Sequence, residues 1–358
     1  MKILITGICG YVGSRLALRL REHLEDADIS GVDNFSRRGA HVNIAALERA
    51  GIRWTHGDAR LPQDLQALPE ADWVIDCAAN PSVLAGTAAG SATPEQLASH
   101  NLIGTLNVLE YCRRHRAGLI LLSTSRVYSV DALCRLPLRE TPTRFVLEDP
   151  LPAAVPGLSE HGIAESFSTE PPLSLYGATK RASEIMALEY AAAFGLPLWI
   201  DRCGVIAGPG QFGRADQGIL SYWVYAAALD RPLRYIGFGG AGRQVRDFVL
   251  AEDIADLVIR QISDPAREAP RIVNVGGGAA GALSLQELTA LAAEFLGKPL
   301  AVAPTGESRP YDVPFFITDS RAARSCWGWA PTRGAREIVE LLCAWTTGNP
   351  DVVRQFFP

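Results

Sequence analysis

The chain has 358 residues, 48% of them hydrophobic, a formal net charge of −5 and a pI near 5.8. That length suits one large α/β domain or two smaller ones. The acidic balance provides no electrostatic footprint for nucleic acid or an anionic membrane, and no apolar run reaches the roughly 18 residues that span a bilayer. Seven scattered cysteines, with no Cys-x-x-Cys and no histidine cluster beside them, speak against zinc or a disulfide framework and for reduced thiols in a cytoplasm.

The N-terminal run Lys2-Ile-Leu-Ile-Thr6 is too short for a signal-peptide core and reads as a first strand. Gly7, Gly10 and Gly13 follow, and then Val12, Leu16, Leu20 and Leu24 recur every four residues, the stripe of a helix packed on a sheet. Strand, glycine turn and helix is the setting of a dinucleotide fingerprint, here spaced G-x-x-G-x-x-G. Gly7 allows the tight turn, Gly10 lets backbone approach a pyrophosphate, and Gly13 seats the helix close to the strand with its dipole toward the phosphates.

A second strand, Ile29-Ser-Gly-Val32, ends in Asp33, twenty residues beyond Gly13. A carboxylate there accepts hydrogen bonds from both adenosine ribose hydroxyls and repels a 2′-phosphate, which favours NAD over NADP. Ser36-Arg37-Arg38 just downstream could instead hold a phosphate or stack on adenine. Gly57-Asp58-Ala59 follows a third apolar stretch and is placed for the adenine edge. Asp72–Ala79 reads as a fourth strand running into a small-residue turn, where Ala78 and Ala79 suit a cofactor or ordinary tight packing equally. Tyr11, Val12, Asn34 and Asn80 complete this candidate cofactor set.

A buried strand, Leu119-Ile-Leu-Leu122, ends in Ser123-Thr124-Ser125-Arg126. Chemistry in open α/β sheets lies at the carboxyl ends of strands, so a hydroxyl there is well placed. Further on comes Tyr176-Gly-Ala-Thr-Lys180. Of 34 cationic residues only Lys2, Lys180 and Lys298 are lysines, and one stands four residues after a tyrosine. On a helix that spacing shares a face, where an ammonium can favour the phenolate and make Tyr176 an acid/base near neutral pH.

With these motifs in this order, the chain resembles the extended short-chain dehydrogenase/reductase family over essentially its whole length. The resemblance implies a doubly wound parallel (Rossmann) sheet with a smaller C-terminal α/β lobe. It divides the chain into an NAD-binding domain, 1–202, and a nucleotide-sugar domain, 203–358, with 247–262 packing back on the first. It makes Tyr176 the acid/base, Lys180 the lysine that holds the nicotinamide ribose and tunes the tyrosine, and Thr124 the hydroxyl on the reacting oxygen. Asn101 matches an asparagine on the helix after the fourth strand, while Asp76 stands where the family often has histidine. Sugar dehydratases of the family carry carboxylates after the threonine; Ser125 and Arg126 leave none for elimination.

In the second half, Arg202-Cys203-Gly-Val-Ile-Ala-Gly208-Pro209 resembles a segment lining the family's sugar pocket, with Gly204 and Ala207 in place of the asparagine and tyrosine usual in 4-epimerases. Arg246 and Arg309 match arginines that clamp the nucleotide diphosphate. Asp33-Asn-Phe-Ser-Arg-Arg-Gly39, Ser123–Tyr128, and Gln211-Phe through Gln217-Gly218 with Gly242–Asp247 resemble a subgroup that epimerises C2 of CDP-linked sugars. On that basis Ser125, Arg126, Cys203, Gln211, Gln217, Arg246 and Arg309 are the candidate substrate contacts, and the Pro-rich insertion between Tyr128 and Tyr176 roofs the sugar pocket. The expected partner is a nucleotide-diphosphate sugar, the cofactor NAD, no metal is implied, and helices over 101–115 and 176–194 imply a homodimer or homotetramer. A 4-epimerase, a dehydrogenase/reductase and a catalytically silent NAD-binding redox sensor stay open.

Overall fold

The computed structural model describes residues 1–87, 92–151 and 154–357. Short aliphatic runs form the strands β1 (Lys2–Thr6), β2 (Asp28–Asp33), β3 (Arg53–His56), β4 (Trp73–Asp76), β5 (Gly118–Thr124), β6 (Leu198–Cys203) and β7 (Ile272–Val275). They lie side by side in the order β7-β6-β5-β4-β1-β2-β3, every pair parallel. Both faces of such a sheet are covered, which is why β5 and β6 are buried almost throughout. The chain runs outward from β1 through β2 and β3 and then returns to β4 on β1's other side. The carboxyl ends of β1 and β4 therefore form the switch-point crevice where ligands sit in such sheets.

Four long helices cover the sheet: α1 (Tyr11–His23), α2 (Gly104–His115), α3 (Leu175–Phe194) and α4 (Ala251–Ser263). Leu16 and Leu20 of α1 and Ile254 and Leu257 of α4 fill one face, while Val108 and Leu109 of α2 and Ala187 of α3 fill the other. The start of α3 is set by Ser174, whose Oγ accepts from the Gly177 amide at 3.0 Å, and its end by Gly195 at φ 67°. Beyond residue 202 the chain re-enters this first core as α4, as β7 and as the helix Arg321–Trp327, whose Trp327 meets Trp199 edge-on at 5.1 Å.

The second lobe builds a small sheet from Val205–Ile206, Val245–Val249, Ala282–Ser284 and Phe315–Phe316. Its separate core gathers Leu220, Trp223, Val224, Leu288 and Leu342. The insertion after Tyr128 does not roof the pocket; no described residue from 127 to 175 lines the large cavity. It buries Leu133, Leu136, Ile163 and Phe167 against Val245, Val313 and Phe315 of the second lobe instead. Arg243 with Glu140 at 2.7 Å, and Arg144 with Glu287, pin it there. Its apolar side chains gain more from that face than from a wet cleft. Residues 152–153 of the insertion lie outside the described residues. Among the described residues no helix is long and apolar enough to cross a membrane, and no group of His, Cys, Asp or Glu side chains could hold a metal ion.

Candidate active site

A cavity of about 560 Å³ opens between the lobes, from the glycine turn past the ends of β4, β5 and β6 to Arg246 and Arg309. A smaller hollow of about 90 Å³ adjoins it beside Asp33, Asn34, Ser36, Asp58, Ala59 and Ala78.

At the first end the backbone itself is the cradle. Gly7 sits at φ +66°, and a Cβ on Gly13 would stand 2.2 Å from the Gly7 carbonyl oxygen. Only glycine permits both. Thr6, at the tip of β1, donates to Asp76 Oδ1 at 2.6 Å and accepts from the Cys77 and Ala78 amides at 3.2 and 3.1 Å, tying the two strands at the switch point. Asp76 also accepts from Thr105 at 3.0 Å, which answers what replaces histidine there: a hydroxyl-bonded carboxylate. One Asp33 oxygen accepts from the Cys9 amide at 2.9 Å and the other from the Phe35 amide at 2.8 Å, which fixes the carboxylate and leaves each oxygen a lone pair for a ribose hydroxyl. Burial would raise Asp58, but a forked ion pair with Arg60 and the Asn34 amide at 3.0 Å outweigh it and hold the carboxyl well below its usual range. Tyr11, Val12 and Ala79 line the large cavity beside Gly10.

Two members of the expected cofactor set also bond other parts of the protein. Arg37 donates to the Gln217 side chain across the cleft, and burial lowers its pKa. Asn101 is 1% exposed; it accepts from the Asn80 amide at 2.8 Å and donates to the Asn80 carbonyl at 3.1 Å and Thr179 Oγ1 at 3.2 Å. It stitches the loop after β4 to α3.

At the centre, Thr124, Tyr176 and Lys180 all face the cavity. Tyr176 is pushed up to about 12, first by burial; the Thr124 hydroxyl lowers it, the Cys203 thiol raises it and the Arg126 guanidinium lowers it. Lys180 lies one turn further along α3, on the same cavity wall as Tyr176. Its charge falls on the thiols of Cys77 and Cys203, where it opposes burial and the neighbouring Asp76 and Asp201.

At the far end, Ser125, Arg126, Cys203, Gln211, Gln217, Arg246 and Arg309 all line the cavity, but their polar atoms differ in freedom. Arg246 donates to Asp312 at 2.8 Å and to the Val313 carbonyl at 2.7 Å, and burial lowers it to about 10. Arg309 donates to the Ala215 carbonyl at 2.8 Å. Gln211 donates to the Ile206 carbonyl at 2.9 Å and accepts from Ser221 at 2.8 Å, bonds that brace the turn and leave one N–H and one lone pair. Arg202 does not line the cavity. It lies buried beneath α3, 2.8 Å from Glu184.

Sequence reasoning missed several groups. Ser82 bonds Asp216, and with Arg37–Gln217 and Arg309–Ala215 this ties the turn 211–218 to both lobes across the cavity mouth. Asp312 carries no motif, only its place three residues after Arg309.

Residues 3–276 match the model of the NAD dependent epimerase/dehydratase family. A CDP-paratose 2-epimerase of Salmonella typhi is 29% identical, covering 97% of this chain and 99% of that protein. A UDP-glucuronate 4-epimerase of Thermodesulfobacterium geofontis is 24% identical over 98% of each. The solved UDP-glucose 4-epimerase of Bifidobacterium longum, in complex with NAD+ and UDP, superimposes with a TM-score of 0.78 at 20% identity, covering 98% of this chain and 100% of the other.

Proposed function

The chain belongs to the NAD dependent epimerase/dehydratase family, and on that premise we propose that it is a nucleotide-sugar epimerase that inverts C2 of a CDP-linked sugar through a transient keto-sugar. One observation carries the chemistry: Thr124, Tyr176 and Lys180 line a single cavity that joins a glycine cradle to a second lobe bearing Arg246 and Arg309.

The first end fits a dinucleotide, since a Cβ at Gly13 would collide with the Gly7 carbonyl and Asp33 keeps lone pairs toward the smaller hollow. Gly7, Gly10, Tyr11, Val12, Asp33 and Lys180 would hold NAD, whose nicotinamide supplies a hydride acceptor and donor. Tyr176 takes the proton from the sugar hydroxyl at its phenol oxygen as the C–H hydride leaves the same carbon, and returns that proton when hydride is restored from the other face. Thr124 orients the reacting oxygen. Arg246 and Arg309 grip the diphosphate, so the ring can turn while its anchor stays. Ser125 and Arg126 offer no carboxylate to eliminate water, which favours epimerisation over dehydration.

The choice of C2 and of cytidine is supported by the Salmonella typhi relative, which spans the whole chain. A 4-epimerase is the second reading, supported by the similarly complete Thermodesulfobacterium geofontis match. A homodimer or homotetramer in the cytoplasm completes the proposal; Ile103, at the start of α2, and Ile185 and Phe194 of α3 are exposed apolar residues where such an interface would form.

The test offers CDP- and UDP-sugars to the purified protein and follows the products by NMR. Inversion at C2 with no net NADH sustains the proposal. Inversion at C4, or stoichiometric NADH, overturns it in favour of a 4-epimerase or a dehydrogenase. Tyr176→Phe should lower turnover by roughly 10³-fold with NAD still bound; a silent sensor would be indifferent.

A further inference from the structure

The turn 211–218 is stiff in itself and bonded at its tip to both sides of the cleft. Gln211, at its base, is braced by the Ile206 carbonyl at 2.9 Å and by Ser221 at 2.8 Å. A Cβ on Gly213 would stand 2.2 Å from the Gly218 carbonyl oxygen. Between them Arg214 and Gln217 exchange both backbone bonds, at 2.7 and 3.1 Å, so the segment is a closed hairpin with its own polar groups satisfied.

The tip reaches out of the second lobe. Asp216 accepts from the Ser82 hydroxyl, in the segment after β4, and Gln217 accepts from Arg37, in the segment after β2. On the substrate side the Ala215 carbonyl accepts from Arg309 at 2.8 Å. Phe212 packs the same way: a Cβ on Gly39 would stand 2.5 Å from its ring. Arg37 and Gly39 lie just past Asp33, the carboxylate set for the adenosine ribose, and both line the cavity. The hairpin therefore presses on the cofactor end of the cleft while it grips the substrate end.

We propose that this hairpin is a strap that shuts the cavity over NAD, which enters or leaves only when the tip lets go of Ser82 and Arg37. The proposal rests on NAD as the cofactor and not on which sugar turns over. Each tip bond is worth little alone, so the strap opens without unfolding either lobe. Gly210 at φ +85° and Gly218 at φ +73° flank the hairpin and can absorb the backbone change at its two ends. The reaction gives the closed state its use. Hydride taken from the sugar has to return to the same sugar, so the reduced cofactor has to stay until it does. A cofactor free to exchange between the two transfers would turn the chain into a dehydrogenase.

The test needs no sugar. Protein as purified, with its NAD, is mixed with excess isotope-labelled NAD, and the dinucleotide still bound after desalting is followed by mass spectrometry. Ser82→Ala and Asp216→Ala should each speed exchange about tenfold. The double variant should match Asp216→Ala, because without the acceptor the hydroxyl has nothing to hold. Unchanged exchange in both single variants overturns the proposal, as do single effects that simply add in the double. Faster exchange that tracks a loss of global stability in denaturant overturns it too. If no nucleotide sugar turns over, the epimerase reading fails, while the exchange rates still decide the strap.

Discussion

Asp201 and Arg202 are neighbours on β6, point to opposite faces of the sheet, and meet opposite fates. Arg202 faces α3, where Glu184, 0% exposed, accepts from its Nε and Nη2 at 3.0 and 2.8 Å, from Ser123 at 2.6 Å and from Arg181 at 3.1 Å. Arg202 also lies over the Tyr128 ring and donates to the Glu165 carbonyl. Asp201 faces α4 and receives one bond, from Gln261 at 2.8 Å; its Oδ2 has no partner. Burial raises that carboxyl to about 7. The face that carries the tyrosine and lysine is over-determined, since Glu184 lies one turn beyond Lys180 and Ser123 precedes Thr124. The opposite face only has to support the sheet, and there a protonated carboxyl suffices.

The largest expected effect is on the satisfied side. Glu184→Ala leaves Arg202 buried and unpaired and should cost about 3–5 kcal/mol, read by denaturant unfolding; a loss below 1 kcal/mol would erase the contrast. On the other side the proton decides. Asp201 titrates near 7 when folded against an ordinary 3.8, so the native state holds a proton that the unfolded chain has lost. Its contribution therefore falls as pH rises from about 4 to about 7 and is level above that. Asp201→Asn should flatten this dependence and stabilise the protein by roughly 2 kcal/mol at pH 8; equal effects at pH 5 and pH 8 would contradict the protonated state. The smallest effect sharpens the first: Ser123→Ala removes one of four donors and should cost about 1 kcal/mol, while moving kcat more than KM if the pair positions Thr124.

The parts of the site legible in sequence were those whose cause is local. Gly7 and Gly13 are required by a turn and a helix a few residues apart, and Asp33 by its place at the end of the next strand. Gln211, Arg37 and Arg202 have the right chemistry for a ligand and appear in the right segments, yet each bonds a side chain outside its own segment: Ser221, Gln217 and Glu184. The insertion failed as a roof for a similar reason, because its destination depended on an apolar face of the second lobe that no spacing reveals.

Sequence alone determined the first strand and helix, the glycine cradle and the pairing of Tyr176 with Lys180 on one helix, since periodicity, turn stereochemistry and short spacings act over a few residues. Tertiary structure alone decided which charges meet: Glu184 with Arg202, Asp312 with Arg246, and a proton rather than a cation for Asp201. Electrostatic interaction falls with distance through space and with desolvation, and both were set only when β5, β6 and the second lobe closed around one cavity.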